Sequence, residues 1–107
     1  MTTPATYTHF TLHEVAKGVW AAIAVREELA GSNAGIVDFG DWTLVFDTTL
    51  SPQSAQELMT AAKTLTGRDP ALVINSHWHV DHIQGNQVLP PGTPIACTAQ
   101  TYADIMD

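Results

Sequence analysis

Cysteine and positive charge are what this chain has least of. A single cysteine, Cys97, cannot close an intrachain disulfide, so packing and hydrogen bonds must hold the fold. A reducing, cytoplasmic setting is the matching expectation. Four cations (Lys17, Arg26, Lys63 and Arg68) face 11 carboxylates, leaving a formal net charge of -7. That balance offers no electrostatic footprint for nucleic acid or for an anionic membrane surface. No apolar run reaches the roughly 18 residues a bilayer-spanning helix needs. The opening Met1-Thr2-Thr3-Pro4-Ala5-Thr6 has neither the basic nor the apolar region of a secretion signal. Repeats, low-complexity tracts and linkers are also missing. With 45% of its 107 residues apolar, the chain is expected to form one domain, 1–107, with a modest core.

The local patterns that are present place the chain in the mixed α/β (α+β) class. Phe10 to Val15 and Val19 to Val25 read as strands around a Lys17-Gly18 turn. Ala34 to Phe39 and Trp42 to Phe46 form a hairpin pattern closed by Gly40-Asp41. Ser51-Pro52 is a helix start, with Ser51 as N-cap and proline in the first helical position. Leu58, Ala61, Ala62 and Leu65 recur at helical spacing until Gly67 stops the pattern. Ala71 to Ile74 is a short continuous apolar run, expected to be a strand covered on both faces. A last strand, Thr93 to Ala96, leads to a helix over 98–106. Strand 42–46, helix 52–66 and strand 71–75 thus make a strand–helix–strand unit, expected to be a right-handed crossover between parallel strands. Ligand sites in such sheets lie just past the carboxyl ends of the strands.

That is where the chain places His77-Trp78-His79-Val80-Asp81-His82, with three of its five histidines. Neutral imidazole and carboxylate suit Zn²⁺ and related borderline cations, with iron or manganese also matching these donors. His77 and His79, two apart on an extended segment, project to one side and can share an ion. Asp81 and His82, after a bend, suit a second ion; two ions about 3.5–4 Å apart can share a bridging hydroxide. Gly85-Asn86 is expected to let the chain turn tightly beyond the donors, within a short helical turn opened by Asp81. The bland alternative is a polar loop with incidental histidines.

His-x-His-x-Asp-His resembles the signature of the metallo-β-lactamase-fold superfamily, in its glyoxalase-II-like and broad-hydrolase branch. Ser32-Asn33-Ala34-Gly35-Ile36-Val37, Leu44-Val45-Phe46-Asp47-Thr48, Val73-Ile74-Asn75-Ser76 and Gly85-Asn86 extend the likeness over nearly the whole chain. The resemblance implies the amino-terminal half of an αββα sandwich, a mixed β-sheet with helices on one face. It also implies a hydrolase with one or two zinc ions, using metal-activated hydroxide on an ester, thioester, lactam or phosphodiester. On that implication His77 and His79 bind the first ion, Asp81 and His82 the second, and Asp81 orients the attacking water. The family's later ligands, a third His, a bridging Asp and a last His, have no counterpart in these 107 residues. The chain is therefore expected to be a fragment, a truncated product or a half-domain. Its partners would be a small-molecule substrate if active, and either further copies of itself or a missing carboxyl-terminal half. The alternative reading is a non-catalytic, metal-binding half-domain that self-associates through its open sheet face.

The remaining candidates carry plainer expectations. Asp47 reads as a strand-end residue satisfying backbone N–H groups, with orientation of a histidine as the alternative. Trp78 and Val80, alternating with the donors, are expected to point inward as anchors. Cys97 reads as a small core residue, His9 and His13 as ordinary strand-face residues, and Glu27-Glu28 as a solvated turn. Asp38 and Asp41 fit the hairpin, and Trp20 and Trp42 fit core or rim packing.

Overall fold

A computed structural model describes residues 5–25 and 30–106, so the expectation for Glu27-Glu28 lies outside the described residues. Seven strands lie side by side in chain order in one sheet. They are β1 (Ala5–Thr6), β2 (Phe10–Ala16), β3 (Val19–Ala24), β4 (Ala34–Asp38), β5 (Thr43–Phe46), β6 (Leu72–Ile74) and β7 (Ile95–Ala96). Neighbours are antiparallel from β1 to β5, and parallel at β5–β6 and β6–β7. The helices are α1 (Pro52–Thr66), α2 (Val80–Ile83) and α3 (Ala99–Met106), with a 3-10 helix at Gln84–Val88.

Local chemistry explains the sharpest boundaries. Ser51 sits in extended conformation and its hydroxyl accepts the Ser54 N–H at 3.1 Å, while the Ser54 hydroxyl accepts the Ser51 N–H at 3.3 Å. The two serines thus form a reciprocal capping box, and Pro52 fits the first turn, where its missing N–H is no loss. At the other end Gly67 takes φ 78°, and its N–H closes on the Lys63 carbonyl at 2.8 Å. In the β4–β5 hairpin the Asp38 carboxylate accepts the Gly40 N–H at 2.8 Å, and the Arg68 guanidinium, 3.0 Å away, clasps it from the end of α1.

Side-chain alternation then sorts the sheet into two unequal faces. Phe10, Leu12, Ala22, Ala34, Ile36, Val45 and Val73 are buried together with Leu58, Met59, Ala61 and Ala62 of α1. Ala55, Leu58, Met59 and Ala62 are the i, i+3, i+4, i+7 stripe of a one-sided helix. Full burial of each large apolar side chain stabilises by about 1.5–3 kcal/mol, which makes this layer the main core. On the opposite face the register aligns Val37, Leu44 and Leu72, with Phe46 beside Ile74. There Ile23 and Phe46 are 40% and 41% exposed.

Several expectations need correction. Only Val73 of β6 is fully buried, with Leu72 and Ile74 half-buried, because the core layer covers one face of that strand. β1 had no sequence signal; it is a two-residue extension paired to Thr11 and Leu12. The last strand shrinks to Ile95–Ala96 because the Thr93 N–H turns back to the Pro90 carbonyl at 3.1 Å. Cys97, just past β7, is half-buried and not a core residue. His9 lies just before β2, not on a strand face, and its Nδ1 meets Glu57 of α1 at 3.0 Å.

Candidate metal centre

The parallel pairing of β5 and β6 brings two short segments together at the carboxyl edge of the sheet. As β5 ends, the Asp47 N–H donates to the Ile74 carbonyl at 2.8 Å, which sets Asp47 beside Ser76. Asp47 is 2% exposed and adopts φ 66°. One carboxylate oxygen, Oδ1, accepts the Ser76 N–H at 2.7 Å. The other, Oδ2, accepts the Ser76 hydroxyl at 2.7 Å and faces His82 Nδ1 at 2.7 Å. A buried carboxylate needs this many donors, since leaving it unpaired would cost several kcal/mol (on the order of 2–7 even for a neutral polar group). Asp47 therefore does more than satisfy the next turn; it grips a histidine of the motif.

The loop after Asp47 is strained and held in place. Thr49, also at φ 66°, is β-branched in the left-handed region, a conformation that costs on the order of 1–3 kcal/mol. Its hydroxyl lies 2.6 Å from the Ser54 hydroxyl inside α1, and its carbonyl accepts the Gly85 N–H at 3.2 Å. Thr48 N–H donates to the His82 carbonyl at 3.0 Å, and the Thr48 hydroxyl to Asn86 Oδ1 at 2.8 Å. Asn75, buried at the end of β6, exchanges amide hydrogen bonds with Asn86 at 2.8 and 3.2 Å. The motif helix is thereby bolted to both β5 and β6. Sequence reasoning missed Asn75 and Asn86 as a pair; two amides flanking the motif were the available signal. Gly85 was expected to serve a tight turn. Instead its Cα comes so close to Thr48 that an added Cβ would lie 2.0 Å from the Thr48 carbonyl oxygen.

The imidazoles gather. His77 and His79 ring centres lie 4.8 Å apart, edge to face, and those of His77 and His82 only 4.0 Å apart. Asp81 Oδ2 is 3.6 Å from His82 Nε2. His82 thus lies close over His77, with its Nδ1 held by Asp47. The helical turn begins at Val80 with His79 at its N-cap, one residue before Asp81. Trp78 and Val80 are 48% and 58% exposed and do not point inward. Trp78 lies against the His79 ring at 4.6 Å, since the inward positions are taken by the hydrogen-bonded network beneath His77. An open groove of about 630 Å³ runs from this edge along the uncovered sheet face, with Val19, Phe46, Asp47, Ser76, Asp81 and His82 on its wall, while Trp20, paired with Ile36, packs against the core on the other face.

In kind, these nitrogen and oxygen donors fit a borderline divalent cation. In number they fall short: among the described residues no group of three or more His, Cys, Asp or Glu side chains is arranged to hold a metal ion.

A half-sandwich sheet with a His-x-His-x-Asp-His loop at its edge defines a class, and comparison with known proteins agrees. The metallo-beta-lactamase superfamily profile matches residues 28–96, and the chain belongs to that superfamily. Among solved structures, a metallo-beta-lactamase from Erythrobacter litoralis with beta-mercaptoethanol in its active site superposes with a TM-score of 0.78 at 18% identity, over 97% of this chain and 48% of that one. The mono-zinc form of the metallo-beta-lactamase FIM-1 from Pseudomonas aeruginosa gives 0.77 at 18% identity, over 92% and 46%. A metallo-beta-lactamase from Hirschia baltica gives 0.77 at 19%, over 92% and 48%. The chain spans about half the length of the solved structures it matches. Curated protein sequences give no match. No helix among the described residues is long and apolar enough to cross a membrane.

Proposed function

We propose that this chain carries the His-x-His-x-Asp-His half of a metal-dependent hydrolase site, acting on an ester, thioester, lactam or phosphodiester once further ligands are supplied from outside these residues. The observation that carries the reading is the gathering of His77, His79 and His82 with ring centres 4.0–4.8 Å apart beside Asp81. No packing rule requires three imidazoles there, whereas a zinc ion, or iron or manganese, uses such donors. His77 and His79 would hold one ion, and Asp81 with His82 a second. When bound, such an ion supplies Lewis-acid activation of water near neutral pH. The chain's own contribution is to hold the imidazoles, to keep the Asp81 carboxylate at the mouth of the groove, and to seat a small substrate along the wall formed by Phe46 and Val19. Alone, with only two donors for each ion, the chain binds metal weakly and turns over no substrate. Zinc titration by calorimetry, with Asp81→Asn and His79→Ala as controls, tests this. Binding that both substitutions weaken supports the reading, and binding that neither affects overturns it.

A second reading is favoured by one observation, the apolar face around Ile23 and Phe46. A sheet needs a second layer over such a face. In this reading the chain is a non-catalytic metal-binding half-domain that pairs with another copy of itself. Light scattering at micromolar concentration distinguishes the two: a mass of one chain overturns self-association.

A further inference from the structure

The hydrogen bonds beneath the histidines carry a consequence for which ring nitrogen is free. We infer that Asp47 fixes the tautomers of two histidines at once, His82 directly and His77 through the Ser76 hydroxyl, making Ser76 a positioning residue. The inference deepens the metal reading and rests on it only for the value of a free Nε2.

A carboxylate can only accept, so the Ser76 hydroxyl, 2.7 Å from Asp47 Oδ2, spends its one proton there. The same oxygen lies 2.8 Å from His77 Nδ1 and has only lone pairs left to offer. His77 must then donate from Nδ1, which in the neutral ring leaves the lone pair on Nε2. His82 faces the same carboxylate oxygen with Nδ1 at 2.7 Å and by the same reasoning donates from Nδ1; in the neutral ring the lone pair then sits on Nε2, which faces Asp81 Oδ2 at 3.6 Å. One buried anion therefore sets the polarity of both chains of hydrogen bonds. Its placement is over-determined: the left-handed backbone at φ 66° aims it, and the Ser76 N–H at 2.7 Å locks its other oxygen. A second carboxylate or hydroxyl at His77 is not needed. Outer partners of this kind orient an imidazole and present one nitrogen for ligation.

The relay predicts different outcomes for near-isosteric substitutions, read without any metal. Asp47→Asn keeps an acceptor for the Ser76 N–H but turns the other atom into a donor. The amide then donates to His82 Nδ1 and to Ser76 Oγ, the serine proton turns toward His77 Nδ1, and both rings move to the Nε2–H form. Ser76→Ala releases His77 alone. Ser76→Thr restores it.

Long-range ¹H–¹⁵N correlation spectra of the chelator-treated 107-residue chain at mildly alkaline pH assign each tautomer. The expected result is Nδ1–H at His77 and His82 in the parent chain and in Ser76→Thr, loss of Nδ1–H at His77 only in Ser76→Ala, and at both in Asp47→Asn. Persistence of Nδ1–H at His77 in the folded Ser76→Ala chain, or a change confined to His82 in Asp47→Asn, overturns the relay. Zinc competition with a chromophoric chelator adds a separate arm, in which Ser76→Ala is expected to weaken binding by about 10-fold. If no variant and no parent chain binds zinc, the metal reading falls while the tautomer result still decides the relay.

Discussion

Replacing Gly85 by alanine should unlatch the motif helix from the strained loop beneath it. The new Cβ would stand 2.0 Å from the Thr48 carbonyl oxygen and 2.4 Å from the Ala55 Cβ, where ordinary contact begins at 3.4 Å. Neither neighbour can rotate away: one is backbone of the Asp47–Thr49 loop and the other is a fully buried residue of α1. Relief requires the 3-10 helix to lift by more than about 1 Å, overpacking that costs about 1–3 kcal/mol. The lift also breaks the Gly85 N–H to Thr49 carbonyl bond, 3.2 Å in the parent chain, adding about 1 kcal/mol. A total of about 2–4 kcal/mol is a large share of the roughly 5–15 kcal/mol that a domain of this size has in hand. Urea denaturation followed by far-ultraviolet circular dichroism, analysed for midpoint and slope, measures the loss. Tautomer spectra of the remaining folded protein should show His82 freed from Asp47, because the Thr48–His82 hydrogen bond moves with the same loop. A Gly85→Ala chain that unfolds within about 0.5 kcal/mol of the parent, the range of a neutral surface change, would refute the steric reasoning.

Other perturbations isolate single contacts. Ser51→Ala removes the N-cap of α1 and half of its capping box, and should cost about 1 kcal/mol, lowering the thermal midpoint by roughly 4–8 °C in a calorimetric scan. At Glu57, burial opposes ionisation, but the backbone N–H groups of His9 and Thr8 and the His9 ring outweigh it and hold the carboxyl below its ordinary value of 4.5. A lowered folded value means that this stabilisation is complete above pH 4.5 and is lost as the pH falls through the folded value below it. Glu57→Gln should therefore destabilise by about 1 kcal/mol at neutral pH, after allowance for solvent screening, and the gap from the parent should close on acidification. A gap that stays constant from neutral pH down to strong acid would contradict that sign. Under the self-association reading, Phe46→Asp places a charge on the uncovered sheet face and should weaken the dimer at least about 10-fold, since burying a phenylalanine is worth about 1.5–3 kcal/mol. Sedimentation velocity across a concentration series checks it.

What could be read in the sequence was local chemistry. Ser51, Pro52 and Gly67 bound α1 to the residue, because caps depend on atoms within a turn of the helix end. The β4–β5 hairpin and the parallel β5–β6 pair follow from periodicity and from the helix between the strands. The His-x-His-x-Asp-His cluster and the segments around it resemble the superfamily's pattern, and the profile match over residues 28–96 bears that resemblance out.

Only the tertiary structure decided what those residues face. Asp47 and Ser76 are 29 positions apart, and nothing within either segment says that the register of β5 on β6 will set a carboxylate under a serine and a histidine. The same register turns Gly85 from a turn residue into a point of backbone contact with Thr48, and leaves Trp78 and Val80 outside. Short-range rules write the helix ends and the donor set, while long-range strand pairing chooses which ring nitrogen is held, because hydrogen-bond partners are fixed by distances that local sequence does not encode.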